Sequence, residues 1–174
     1  MMRILCEARI EAAPSSVFRW VAEPEKAIRW QGDVKEQEII TAPPGVVGTT
    51  FREVVADGNG RLEMRGRITR YVENEVMAFH LVSRIHELEV SYSVAPAFEP
   101  CTPAAGSTRI TVEAAVRWKF PMNLLNLVAA RRMRAGLAAQ LQSELSILKR
   151  LCEAEGADAA VASLAPAPSS EGGQ

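Results

Sequence analysis

The sequence predicts an α+β fold: a curved, seven-stranded antiparallel sheet wrapped around one long C-terminal helix, with two short helices after the first strand. Three observations predict it. Most of the chain alternates apolar and polar residues with a period of two, which gives each strand one dry and one solvated face and so an antiparallel sheet. Turn signals at Pro43-Pro44-Gly45 and Asp57-Gly58-Asn59-Gly60 cut this region into hairpin-sized pieces. Only the C-terminal region carries a long stripe at helical spacing.

The elements follow in order. In the first strand, residues 2–12, Ile4, Cys6, Ala8 and Ile10 alternate with Arg3, Leu5, Glu7, Arg9 and Glu11. Pro14 stands at a first helical position, and Val17, Phe18, Val21 and Trp20 supply an apolar stripe behind it. Pro24 starts a second short helix with Ala27, Ile28 and Trp30. Strands follow over 34–41, 48–55 and 62–68, the last with Leu62, Met64, Gly66 and Ile68 on one face and Glu63, Arg65, Arg67 and Thr69 on the other. The strand over 76–83 alternates less cleanly. His86, Leu88, Val90, Tyr92 and Val94 form the dry face of the next, and Ile110, Val112, Ala114, Val116 and Trp118 that of the last. A Pro-containing loop around Cys101 separates these two.

The final helix is expected from Pro121 to Gly156, roughly 35 residues and a little over about 50 Å. Leu137, Leu141, Leu145, Leu148 and Cys152 make one continuous apolar face, with Gln140, Gln142, Glu144, Lys149 and Arg150 mostly off it. Gly136 suits a kink or a close helix–sheet approach, or is simply tolerated there. It costs a helix about 1 kcal/mol relative to Ala. A sheet of this size accumulates twist and curls. One helix is the only element long enough to cover its dry face, so a cavity between sheet and helix is the physical expectation. From Glu155 the sequence becomes Ala-, Pro-, Ser- and Gly-rich, so the working domain is read as 1–154 and residues 155–174 as a disordered tail.

Composition narrows the function classes. The 174 residues are 48% hydrophobic and 24% charged, ordinary for a globular domain. Twenty basic residues against twenty-one acidic give a net charge of −1, which excludes a globally basic nucleic-acid binder. No apolar run is long enough to span a membrane, and the N-terminus lacks a secretory h-region. Cys6, Cys101 and Cys152 are far apart with no CxxC, so neither a disulfide framework nor a structural metal site is expected, and the cytoplasm is the default location. Sixteen arginines against four lysines suggest a high-GC, bacterial source. Nucleotide-binding and nucleophile-elbow motifs are missing, so no cofactor is expected.

Several short motifs occur in a telling order. Ala13-Pro14-x-x-Val17-Phe18 opens the first helix, and Pro24-Glu25 precedes Trp30. Gly48-Thr49-Thr50-Phe51-Arg52 begins a strand, and Ser107-Thr108-Arg109-Ile110-Thr111 begins the last. Over about residues 3–153 the chain resembles the START-like (SRPBCC) superfamily, whose helix-grip members include polyketide cyclases, lipid-transfer domains and pollen-allergen relatives. The resemblance implies a hydrophobic or amphipathic small molecule, lipid or polyketide-like, bound in the cavity by a carrier or sensor. The alternative it allows is a polyketide cyclase/dehydratase-type enzyme. No cyclase motif matches residue by residue, so no catalytic residue is carried over.

The candidate ligand-binding residues are Phe51, Met64, Ile68, Leu88, Val90, Trp118 and Leu137, with Tyr92, Glu53 and His86 as polar groups. The apolar ones serve equally as plain core. A buried tyrosine needs a partner for its hydroxyl, in the core or on a ligand carbonyl. Glu53 points inward if Phe51 and Val55 do. If Thr50, Arg52 and Val54 point in instead, Arg52 takes that place. His86 extends the dry register near a sheet edge and has the pKa range of a general base, or it is a rim residue. His80 lies six residues before it, beyond a turn near Ser83-Arg84-Ile85, and two histidines without a third ligand make no metal site. Arg131, Arg132 and Arg134, after an apolar run over 124–128, are either a solvated face or a docking site for an acidic partner or a membrane surface. A protein-interaction module acting through that helix is the third functional reading.

Overall fold

The structure is a computed structural model that describes residues 1–58, 60–97, 106–120 and 122–164, with side chains described except at 57, 122–131 and 158–164. The expected loop around Cys101, the side chains of 124–128 and of Arg131, and residues 165–174 lie outside the described set. The elements run β1 (Met2–Ile10), α1 (Pro14–Ala22), α2 (Pro24–Ala27), β2 (Val34–Thr41), β3 (Thr50–Asp57), β4 (Gly60–Val72), β5 (Val76–Ser83), β6 (His86–Pro96), β7 (Thr108–Trp118) and α3 (Met122–Leu164). One seven-stranded sheet holds all strands in the order β1-β7-β6-β5-β4-β3-β2, antiparallel throughout. The fold is the α+β helix-grip: a curved open sheet, a long C-terminal helix and two short helices after the first strand.

The motifs have local causes. Gly48 adopts φ +95°, and its amide donates to the Ile68 carbonyl at 2.8 Å, so the glycine lets the chain turn sharply into β3. Asp57 pairs with Gly60 across a two-residue hairpin loop in which Gly58 has φ +56°. Thr108 is fully buried and its hydroxyl donates to the Ala12 carbonyl at 2.6 Å, tying the start of β7 to the turn between β1 and α1. Pro14 occupies the first turn of α1, whose Val17, Phe18, Trp20 and Val21 are all buried.

The solid core lies at one end of the sheet. Ile10, Val17, Ile110, Val112, Leu145 and Leu148 belong to one buried cluster and expose almost nothing. Trp30 is also buried, and its indole N–H donates to the Trp20 carbonyl at 2.8 Å. The last turns of α3 therefore pack as core, whereas Leu137 and Leu141, two turns earlier on the same face, are only partly buried.

Two expectations change. The helix does not close at Gly156: the backbone stays helical to Leu164, giving 43 residues. The expected boundary at 155 falls inside α3, and Glu155 itself is engaged. Its carboxylate accepts from the Trp20 indole at 2.5 Å and from Lys26 at 2.8 Å, and pairs with Arg19 at 3.5 Å. The Lys26 hydrogen bond, then the Trp20 hydrogen bond and nearby positive charge, hold it below the usual carboxylate range against a modest burial effect. Second, Glu144 does not lie off the apolar face but is 9% exposed beneath the helix.

Candidate ligand-binding site

The inward register of β3 follows from its neighbours. Phe51 pairs with Gly66 of β4, and a Cβ at Gly66 would overlap the Phe51 ring. The missing side chain is what lets the ring lie flat across the sheet. With Phe51 fixed inward, Glu53 follows two residues later and is 8% exposed, while Arg52 turns to the outer face and pairs with Glu63 at 3.1 Å and Glu36 at 3.5 Å. The open alternative thus resolves in favour of Glu53.

Two adjoining spaces lie between the concave sheet face, the short helices and α3. The inner lobe, about 440 Å³, is lined by Met64, Leu88, Val90, Trp118 and Leu137 together with Glu53, Tyr92 and His86. The outer lobe, about 590 Å³, runs between α1, the β2–β3 connection and the sheet, and holds Phe51 and Ile68. Gln31, Glu53 and Phe79 line both. All ten sequence-predicted residues therefore line one lobe or the other, and Glu53 stands where the two meet. His80 does not join them. It is on β5 with its side chain toward the convex face, where it lines a separate depression with Glu89, Ser91 and Arg134.

The polar groups cluster at the junction. Burial, and then the Glu144 charge, push the Glu53 carboxyl up to about 7. Glu144 is also raised, first by burial and then by Asp33, against hydrogen bonds from Gln140 and the Gly32 backbone. Gln140 Nε2 donates to Asp33 at 2.6 Å and to Glu144 at 3.2 Å, so one amide bridges two acids. Burial, with Glu144 and Glu53 adding to it, drives the Tyr92 phenol well above its usual range, and Gln31 is its hydrogen-bonding neighbour. Tyr92 is 4% exposed, stands edge-on to Trp30 at 5.7 Å and lies 5.7 Å from Phe79. At the mouth, His86 Nδ1 lies 3.2 Å from the Ser83 hydroxyl and its ring packs 5.1 Å from Trp118.

Such a site can desolvate an apolar body and orient it with a few buried donors and acceptors. Among the described residues, no group of three or more His, Cys, Asp or Glu is placed to hold a metal ion, and no helix is long and apolar enough to cross a membrane. Cys6 and Cys152 are free thiols. Sequence reasoning missed Glu144, Gln140 and Gln31. For Glu144 the signal was present: it stands seven residues after Leu137 and four before Leu148, which is the apolar stripe itself.

The family model described as polyketide cyclase / dehydrase and lipid transport matches residues 2–153. The chain belongs to that family. Among solved structures, TTHA0849 of Thermus thermophilus is 16% identical, with a TM-score of 0.69 over 88% of this chain and 99% of that one. DR_A0006 of Deinococcus radiodurans is 14% identical, with a TM-score of 0.63 over 88% and 99%. The di-domain ARO/CYC protein StfQ of the steffimycin biosynthetic pathway is 14% identical, with a TM-score of 0.61 over 88% of this chain and 46% of that one. At these identities the likeness is one of fold. A search of curated protein sequences finds no match. Membership agrees with the superfamily that the motifs resemble.

Proposed function

We propose that this family member binds one hydrophobic or amphipathic small molecule, lipid or polyketide-like, in the space between sheet and α3, as a carrier or sensor. The observation that carries the reading is the pair of adjoining lobes, with apolar side chains over most of their walls and the buried Glu53 carboxyl where they meet. Their volumes fall in the range of about 300–1,000 Å³ that small-molecule sites occupy. A collapsed interior, which an interaction module would predict, is not what these lobes describe. Arg132 and Arg134 are exposed and do not line either lobe, so a docking role for them would be separate from this one.

One observation favours a second reading, an enzyme of the cyclase/dehydratase type. Glu53 is held near neutrality beside a phenol that stays protonated. In that reading the Glu53 carboxylate takes a proton from the carbon next to a carbonyl, and the Tyr92 hydroxyl donates a hydrogen bond to the enolate oxygen that forms. The Glu53 proton then passes to a departing β-hydroxyl, which leaves as water and closes the double bond. Incubation with a β-hydroxy aryl ketone separates the two readings. A carrier gives a one-to-one complex by native mass spectrometry and unchanged ketone by chromatography. An enzyme gives the dehydrated product, at least tenfold more slowly in Tyr92→Phe and Glu53→Gln. Neither complex nor product would contradict both.

A further inference from the structure

The charges that face the cavity are unbalanced. Asp33, Glu53 and Glu144 line the inner lobe, and among the described residues no Lys or Arg does. The arginines near this part of the sheet point elsewhere: Arg52 pairs with Glu63 and Glu36, and Arg61 pairs with Glu36, all on the outer face. The acids are not equally provided for. Asp33 and Glu144 share the Gln140 amide. Glu53 is more than nine-tenths buried, opens on both lobes, and accepts no hydrogen bond among the described residues. A buried carboxylate in that state needs either a proton or a cation. Tyr92 and Phe79 share the lining with it, and aromatic rings attract a cation through their π-systems.

We infer that the cavity selects an amphipathic ligand bearing a protonated amine, with the ammonium seated between Glu53 of β3 and Glu144 of α3 and the apolar body along Leu88, Val90 and Leu137. The inference rests on the reading of the lobes as a ligand site, and it narrows that reading to a charge class. Fatty acids and other apolar anions are disfavoured, because the lobe offers them acids and no counter-charge. An alkylammonium replaces the proton that Glu53 otherwise holds. Binding near pH 6 therefore releases a proton, and affinity rises with pH through about 7. The titratable groups that face Glu53 are Asp33 from the turn before β2, Glu144 from α3 and Tyr92 and His86 from β6, with Arg19, Glu23, Tyr71 and Glu73 across the outer lobe.

The test uses the full chain and three probes of equal length: decylamine, 1-decanol and decanoate, each below its micellar concentration, titrated by calorimetry at pH 7.5. Decylamine is expected to bind one-to-one at least tenfold more tightly than 1-decanol, with decanoate weaker still. In Glu53→Gln and in Glu144→Gln the amine-to-alcohol preference is expected to fall to within about twofold. Repeating the amine titration at pH 6 in buffers of different ionisation enthalpy should show proton release by the native chain. Glu53→Gln should lose that release, which separates Glu53 from His86. The comparison of probes on the native chain stands even if a variant fails to fold. Decanol or decanoate binding as tightly as the amine would overturn the charge inference and leave the cavity reading intact. Failure of all three probes to bind would overturn both.

Discussion

Glu53 shows how one position carries both structure and chemistry. Its direction depends on Phe51, and Phe51 depends on the glycine opposite it. The alternation in β3 could not decide this alone, because Val54 and Val55 put apolar residues on both registers. The partner strand, clean over Leu62, Met64, Gly66 and Ile68, resolves it. Its ionisation has a sign that can be checked. The folded protein holds the Glu53 proton up to about 7, whereas an unfolded glutamate loses it near 4.5. The ionised carboxylate therefore weakens the fold progressively as pH rises from about 4.5 to 7, and the cost stays at its full value above that. Glu53→Gln removes the cost. Thermal melts should show the variant close to the native chain at pH 4.5 and more stable by on the order of 3 kcal/mol at pH 8. Equal stability at pH 8 would mean that the carboxylate is not buried as described. Glu144 was legible in principle, but a charged residue in an apolar stripe reads as solvated unless its spacing is followed strictly.

At the scale of elements, α3 does two jobs along one face. Leu145, Leu148 and Cys152 are buried against α1 and the sheet, while Leu137 and Leu141 roof the inner lobe. The expected result is an asymmetry between chemically identical substitutions. Leu148→Ala should cost about 3–5 kcal/mol in urea unfolding, because it leaves a void in packed core. Leu137→Ala should cost less than about 1.5 kcal/mol, since its side chain already borders empty space and is partly exposed. Similar costs would argue that the lobe is filled core. The stripe itself was readable from spacing, but where the helix stops was not. A glycine within a helix costs only about 1 kcal/mol, too little to end it. The tie from Glu155 to Trp20 and Lys26 spans more than a hundred residues and leaves no local signal. Strands were readable where one face is charged. The β5 pattern blurs because Ala78 and Val82 are apolar on the convex side while Met77, Phe79 and Leu81 turn inward.

At the scale of the molecule, the cavity follows from the order of elements. Seven strands curl, and one helix crosses near the β1 and β7 edge. Its end packs tightly, and the remaining concavity under β3 to β6 stays open. That conclusion was available from sequence, since it needs only strand number and helix count. The polar cluster was half available: Tyr92 and Glu53 by register, but not Gln31 or Gln140, which come from a loop and a helix face that spacing does not orient toward the site. The most direct test of the central claim is an equilibrium titration with N-phenyl-1-naphthylamine, a neutral apolar fluorophore, on the native chain and on Leu137→Trp, which fills the inner lobe from the helix side without entering the packed core. The native chain is expected to show saturable fluorescence at one fluorophore per chain, with binding weakened at least tenfold in the variant. Non-saturable fluorescence, or identical curves for the two proteins, would contradict the claim.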